Sequence, residues 1–244
     1  MTESMTEEPG MTEPGGGPWP ALRRNLVAIL RGVRPDEVVA IGEALVAAGF
    51  DAIEVPLNSP GPLDSIARLA GALPAAVLVG GGTVLGAAAV GEVHAAGGRL
   101  IVAPNTDPAV IGRAASLGMA SLPGVFTPSE AFAALGAGAS ALKFFPASVL
   151  GAEGIAAVRA VLPRGAVLGV VGGVADAHFA AYAACGVTVF GLGSSLYRPG
   201  LDAAEVGARA AAAVAAYDAV FGAATGGVPG AVPGGVSGAG TTRA

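Results

Sequence analysis

The chain has 244 residues, 53% of them hydrophobic and only 13% charged, with a mean hydropathy of +0.66. That apolar content excludes a mainly disordered protein, which stays unfolded by having too little apolar surface to bury. The net charge of −5 lacks the basic footprint of a nucleic-acid binder, while a single cysteine, Cys185, excludes a disulfide framework and fits a reducing cytoplasm. Residues 1–22 carry Thr-Glu and Pro-Gly repeats with almost no large apolar residue besides Trp19, and they read as a disordered tail without a signal core. The Gly, Val, Pro and Ala of 223–244 read the same way. One folded domain is expected between them, over 23–222.

Within that domain, short runs rich in Val, Ile and Leu alternate with Ala-rich stretches of helical length. The expected strands are 26–30, 52–57, 76–80, 100–103, 119–122, 141–145, 166–171 and 187–191. The expected helices are 35–48, 60–72, 86–97, 107–117, 128–137, 151–161, 175–184 and 202–221. Several helices open near a proline (Pro35, Pro60, Pro108, Pro128), where the missing N–H costs nothing. Several close on a glycine (Gly49, Gly97, Gly118, Gly186) suited to the left-handed C′ position. The uncharged stretch between Arg68 and Glu92 contains Pro74 and the triplet Gly80-Gly81-Gly82, which reads as a strand-to-loop transition rather than a membrane span. Strands apolar on both faces, in strict alternation with helices, indicate a closed (β/α)8 TIM barrel. An open doubly wound sheet is the alternative, but GVVGGV does not match a dinucleotide fingerprint well.

In such a barrel the reactive residues lie where the strands end. Lys143, within ALKFFP, is the one lysine among the thirteen basic residues. An ammonium in an apolar strand is costly, and burial favours the neutral amine that attacks carbonyls, a role arginine cannot fill. Glu54, an acid within the apolar strand AIEVPL, is its natural proton shuttle, because alternate strands fill the same interior layer. Arg31, ending the first strand, presents a planar fork suited to a carboxylate, and Thr83 adds a hydroxyl. Gly172-Gly173 after the seventh strand, and Gly193-Ser194 with Ser195 after the eighth, read as a phosphate site built from backbone N–H groups. His94 and His178 fall in helices expected on the outside, and no His/carboxylate cluster for metal-dependent aldol chemistry is present in the sequence.

Taken in order, LVAILRGVRPDE, GFDAIEVPLNSP, GGGTVL, IVAPN, ALKFFPAS, VGGV and GLGSSLYRPG resemble the 2-dehydro-3-deoxy-phosphogluconate/phosphogalactonate aldolases from about residue 25 to about residue 220. EVPLNSP and the GLGS-x-LYR ending are closer to the phosphogalactonate branch. The resemblance implies a class I aldolase that cleaves a small phosphorylated keto acid reversibly to pyruvate and glyceraldehyde 3-phosphate. It implies a Schiff base on Lys143, general acid/base work by Glu54, and a pyruvyl carboxylate held by Arg31 and Thr83. Pro104 would line the pyruvate pocket, and Gly172, Gly173, Gly193 and Ser194 would hold the phosphate. It further implies a cytoplasmic homotrimer without metal or organic cofactor, and without membrane or nucleic-acid partners. GGGT stands where GAGT is common. The gluconate epimer as substrate, a sugar-phosphate isomerase or epimerase, and a non-catalytic binding barrel are the rival readings.

Overall fold

The computed structural model describes residues 17–223, so most of both expected tails lies outside the described residues. The N-terminal boundary moves from the expected one. Leu22 is buried and Trp19 packs beside it against the apolar cluster inside the barrel, with the indole Nε1 donating to Asn25 Oδ1 at 3.0 Å.

The elements are β1 (Leu26–Ile29), α1 (Val38–Ala48), β2 (Ala52–Pro56), α2 (Pro62–Ala72), β3 (Leu78–Gly82), α3 (Ala87–Ala95), β4 (Leu100–Val102), α4 (Pro108–Ser116), β5 (Ala120–Leu122), β6 (Gly124–Val125), α5 (Pro128–Gly136), β7 (Leu142–Phe144), α6 (Ala147–Arg159), β8 (Leu168–Val170), α7 (Phe179–Ala184), β9 (Val189–Leu192) and α8 (Ala203–Phe221). All strand pairs are parallel, in the order β5-β4-β3-β2-β1-β9-β8-β7-β6. β5 and β6 are two pieces of one strand divided at Pro123. Proline has no N–H for the ladder, so β5 pairs with β4 on one side while the carbonyls turn to β7 on the other. Ser121 O accepts from Ala141 N at 3.1 Å, Pro123 O from Lys143 N at 2.9 Å and Val125 O from Phe145 N at 3.1 Å. These bonds close the ring into an eight-unit (β/α)8 barrel.

The strands are buried along nearly their whole length because each has two apolar neighbours. Outward residues pack on the helices, while Val27, Ala52, Leu78, Leu100, Leu122, Ala141 and Val189 fill the interior with Leu22 beneath them. Helix boundaries follow the local chemistry. Asp107 and Thr127 cap α4 and α5 ahead of Pro108 and Pro128, and Thr127 with Glu130 completes a capping box. Gly49, Gly97, Gly118 and Gly186 all adopt positive φ, as expected. The first-turn proline of α2 is Pro62 rather than Pro60, and α1 begins after Pro35, at Val38.

Three expectations need correction. The glycine triplet is not a transition out of β3, because the strand runs through to Gly82. The α6 segment begins before Gly151, with one turn preceding that glycine, whose φ of 69° interrupts the helix. The seventh helix is a 3₁₀ turn at Asp176–His178 leading into α7. Among the described residues no helix is long and apolar enough to cross a membrane.

Candidate active site

The inward positions of the barrel change character toward its C-terminal end. The lower layer is aliphatic, whereas one step higher β3 and β8 place Gly80 and Gly169 in register with Glu54 and Lys143. Glycine lets the neighbouring chain close in there, since a Cβ on Gly80 would meet Leu100 O and one on Gly169 would crowd Val189. Gly82 shows the requirement directly, since a Cβ on it would occupy the position of the Glu54 carboxylate. Lys143 has Gly124 beside it on β6 and Gly169 on β8. Gly82 thus makes room for the Glu54 carboxylate, and small residues flank Lys143 in register on both sides.

Both of those side chains are enclosed, with Glu54 3% and Lys143 5% exposed. Glu54 Oε2 is buried without a hydrogen-bond partner. Loss of water is the main cause pushing the Glu54 carboxyl up to about 7, against the opposing pull of Lys143 and Arg31. The same loss brings the Lys143 ammonium down to about 8, with Glu54 acting to raise it and Arg31 to lower it further. Near neutral pH each of the two can therefore take up or release a proton. The Lys143 Nζ also lies 5.0 Å from the centre of the Phe145 ring, which lies two residues farther along the same face.

Arg31, Thr83 and a residue the sequence reading passed over, Asn58, meet at the mouth of the barrel. Arg31 donates from Nη1 to Asn58 Oδ1 at 2.6 Å and from Nη2 to Thr83 Oγ1 at a longer 3.4 Å. Thr83 has a φ of 55°, the sole positive φ outside glycine among the described residues. A β-branched residue in that region is strained, and such strain gathers at functional sites. Pro104 is half-buried on the rim, and its carbonyl sits where a Cβ on Gly124 would go, so loop and strand touch backbone to backbone. Thr106 reinforces this contact by donating to Gly124 O at 2.8 Å.

Farther round the rim, Gly172 and Gly173 have successive φ values of 91° and 74°. Two successive positive φ values are open to glycine at little cost. Among the described residues no backbone carbonyl accepts from the N–H groups of Gly172, Gly173, Gly193 or Ser194. Ser195 joins the two loops by donating from Oγ to Val174 O at 3.1 Å, and Ser194 stays exposed. His178 accepts from Ala175 N at 3.0 Å through Nδ1, which secures the end of the glycine loop. Gly172 packs against the Phe145 ring and Gly173 against Ser148, so the glycine loop borders the lysine strand. The nine residues singled out from the sequence therefore sit at one end of the barrel, with Glu54 and Lys143 inside and the other seven around the mouth. Asn58 and Phe145 stood in the sequence only as members of the EVPLNSP and ALKFFPAS motifs, with no role of their own.

Among the described residues no group of three or more His, Cys, Asp or Glu side chains gathers as a metal site. The sequence profile of the KDPG and KHG aldolase family matches residues 21–206. The chain is 56% identical over 195 residues to a probable 2-dehydro-3-deoxy-6-phosphogalactonate aldolase of Rhizobium meliloti (strain 1021), covering 80% of this chain and 92% of that protein. It is 46% identical over 187 residues to the 2-dehydro-3-deoxy-6-phosphogalactonate aldolase of Escherichia coli (strain K12), covering 77% and 91%. A solved structure described as native KDPGal superposes with a TM-score of 0.78 at 45% identity, over 80% of this chain and 95% of that one. With the barrel, its buried lysine and this extent of similarity together, the chain belongs to the KDPG and KHG aldolase family of class I aldehyde-lyases.

Proposed function

We propose that the protein cleaves 2-dehydro-3-deoxy-6-phosphogalactonate reversibly to pyruvate and D-glyceraldehyde 3-phosphate, through a Schiff base on Lys143. The observation that carries this reading is the shared enclosure of Lys143 and Glu54 above an aliphatic floor. A lysine brought down toward neutrality supplies the unprotonated amine that attacks the C2 ketone. Loss of water from the resulting carbinolamine gives an iminium. Glu54 takes the proton of the C4 hydroxyl, the C3–C4 bond breaks, and its electron pair moves to the iminium nitrogen to form an enamine. Glyceraldehyde 3-phosphate departs, the enamine takes a proton at C3, and hydrolysis frees pyruvate and the lysine. A carboxyl raised to about 7 is matched to giving and taking that proton at neutral pH.

In the same reading Arg31 and Thr83 hold the pyruvyl carboxylate, and Pro104 lines the pyruvate pocket. The N–H groups of Gly172, Gly173, Gly193 and Ser194, with the Ser194 hydroxyl, receive the phosphate. The substrate choice follows the names of the two relatives at 56% and 46% identity. The protein acts as a cytoplasmic homotrimer. Leu85, Phe126, Phe132 and Val149 support the oligomer, since these exposed apolar residues follow β3, β6 and β7 at the catalytic end.

The decisive test is incubation with pyruvate and borohydride followed by peptide mass spectrometry. The expected result is a reduced pyruvyl adduct on Lys143, and active protein without that adduct would overturn the mechanism. Measuring kcat/KM for both epimers then decides the substrate: a higher value for the galactonate epimer is expected, and the reverse would move the assignment to the gluconate epimer. Sedimentation equilibrium at a trimer mass is expected for the assembly.

A further inference from the structure

The loop after β2 grips the loop after β1 at two adjacent points. Asn58 Oδ1 accepts from the Arg31 guanidinium at 2.6 Å, and Ser59 Oγ accepts from Gly32 N at 2.9 Å. The second contact is part-buried, on a buried Ser59, and Gly32 is also pressed by Pro199, where a Cβ would lie 2.8 Å from its ring. The backbone beneath Arg31 is therefore held fast, while the Arg31 and Asn58 side chains remain exposed at the mouth.

The hydrogen-bond inventory of this corner is one-sided. Asn58 Oδ1 is engaged by Arg31. Thr83 Oγ1 accepts from the same guanidinium. What the three residues have left to offer is chiefly donors, the Asn58 Nδ2 amide, the Thr83 O–H and the remaining guanidinium N–H groups, against one spare lone pair on each of the two oxygens. A carboxylate, which only accepts, satisfies such a corner. The corresponding ester or amide accepts more weakly and brings no charge.

We infer that Asn58 is a positioning and selectivity residue for the substrate carboxylate: its Oδ1 orients Arg31 and its Nδ2 supplies a further donor. This rests on the assignment of Arg31 to the pyruvyl carboxylate. Asn58→Asp keeps the shape and the acceptor, removes the donor, and places a negative charge against the guanidinium. Asn58→Ala removes both contacts without adding charge.

The test is the rate at which cyanoborohydride traps the enzyme with pyruvate or with methyl pyruvate, for the parent, Asn58→Ala, Asn58→Asp and Arg31→Ala. The half-saturating pyruvate concentration is expected to rise about tenfold in Asn58→Ala and further in Asn58→Asp. Trapping with methyl pyruvate is expected to stay within about twofold of the parent in both, because the neutral ester gains little from the clamp. Parental pyruvate binding in the Asn58 variants, alongside weakened binding in Arg31→Ala, would overturn the role of Asn58 alone. Equal losses with both ketones would overturn it too, since they would mark a slackened loop. An unchanged preference for pyruvate in Arg31→Ala would instead remove the carboxylate assignment beneath it.

Discussion

Burial moves Lys143 and Glu54 in opposite directions on the pH scale and toward the same end, the neutral form. The consequence for chemistry is a lysine whose ammonium is brought down to about 8, where it begins to act as a nucleophile. Trapping of pyruvate at low concentration should therefore rise with pH through a midpoint near about 8, which stopped-flow quenching over a buffer series will show. Lys143→Arg keeps the charge but cannot become a free amine. Its aldol cleavage should fall by at least about a thousandfold with no borohydride adduct, read by product assay and intact mass. At this scale the sequence was informative because charge in an apolar strand is rare. Asn58 escaped notice for the converse reason, as an amide in a polar loop looks ordinary until its partner is seen.

The strands supply room as well as side chains. Gly82 is the sharpest case, since any Cβ there meets the Glu54 carboxylate. Gly82→Ala should displace Glu54 and destabilise the fold by about 1–3 kcal/mol, measured by denaturant titration, with a loss of kcat approaching that of Glu54→Gln. Among the loops, Ser195 ties the turn after β9 to the glycine loop after β8 through Val174 O. Ser195→Ala removes one hydrogen bond, worth about 1 kcal/mol, so KM for the phosphorylated substrate should rise about fivefold. Pyruvate trapping should remain at the parental rate, which separates the phosphate corner from the lysine. The alternation of elements and the glycine ends of the helices were readable because they depend on local backbone preference. The extent of β3 was misjudged for a physical reason: glycine normally weakens a strand, and here it is retained for the space it leaves beside Glu54.

Over the whole molecule, the lysine and glutamate cost stability at the pH where they work. Glu54 binds its proton more tightly when folded, so stability contributed below its ordinary range is lost as pH rises from 4.5 toward about 7. Lys143 releases its proton more easily when folded, so stability is regained as pH rises from about 8 toward 10.5. The pair is thus most costly between those windows. Replacing both, as Glu54→Met/Lys143→Met, should raise stability at neutral pH by about 1–4 kcal/mol and flatten its pH dependence, measured by thermal melts across pH. Wider anchors hold the frame that bears this cost. Arg24 forms two 2.7 Å bonds to Asp218, tying the entry to β1 to α8, and Phe179, Phe190, Tyr217 and Phe221 pack together beside them.

The amino-acid sequence by itself determined the β/α alternation, the glycine ends of the helices and the candidates Lys143 and Glu54, because periodicity, propensity and the cost of a buried charge act locally. Tertiary structure decided the rest. It closed the barrel across Pro123, seated Trp19 and Leu22 beneath the interior, and cleared space for the Glu54 carboxylate at Gly82. It also set Asn58 against Arg31, 27 residues away along the chain. Each of these depends on which strands become neighbours when the sheet curls into a ring, and that proximity is produced only by folding.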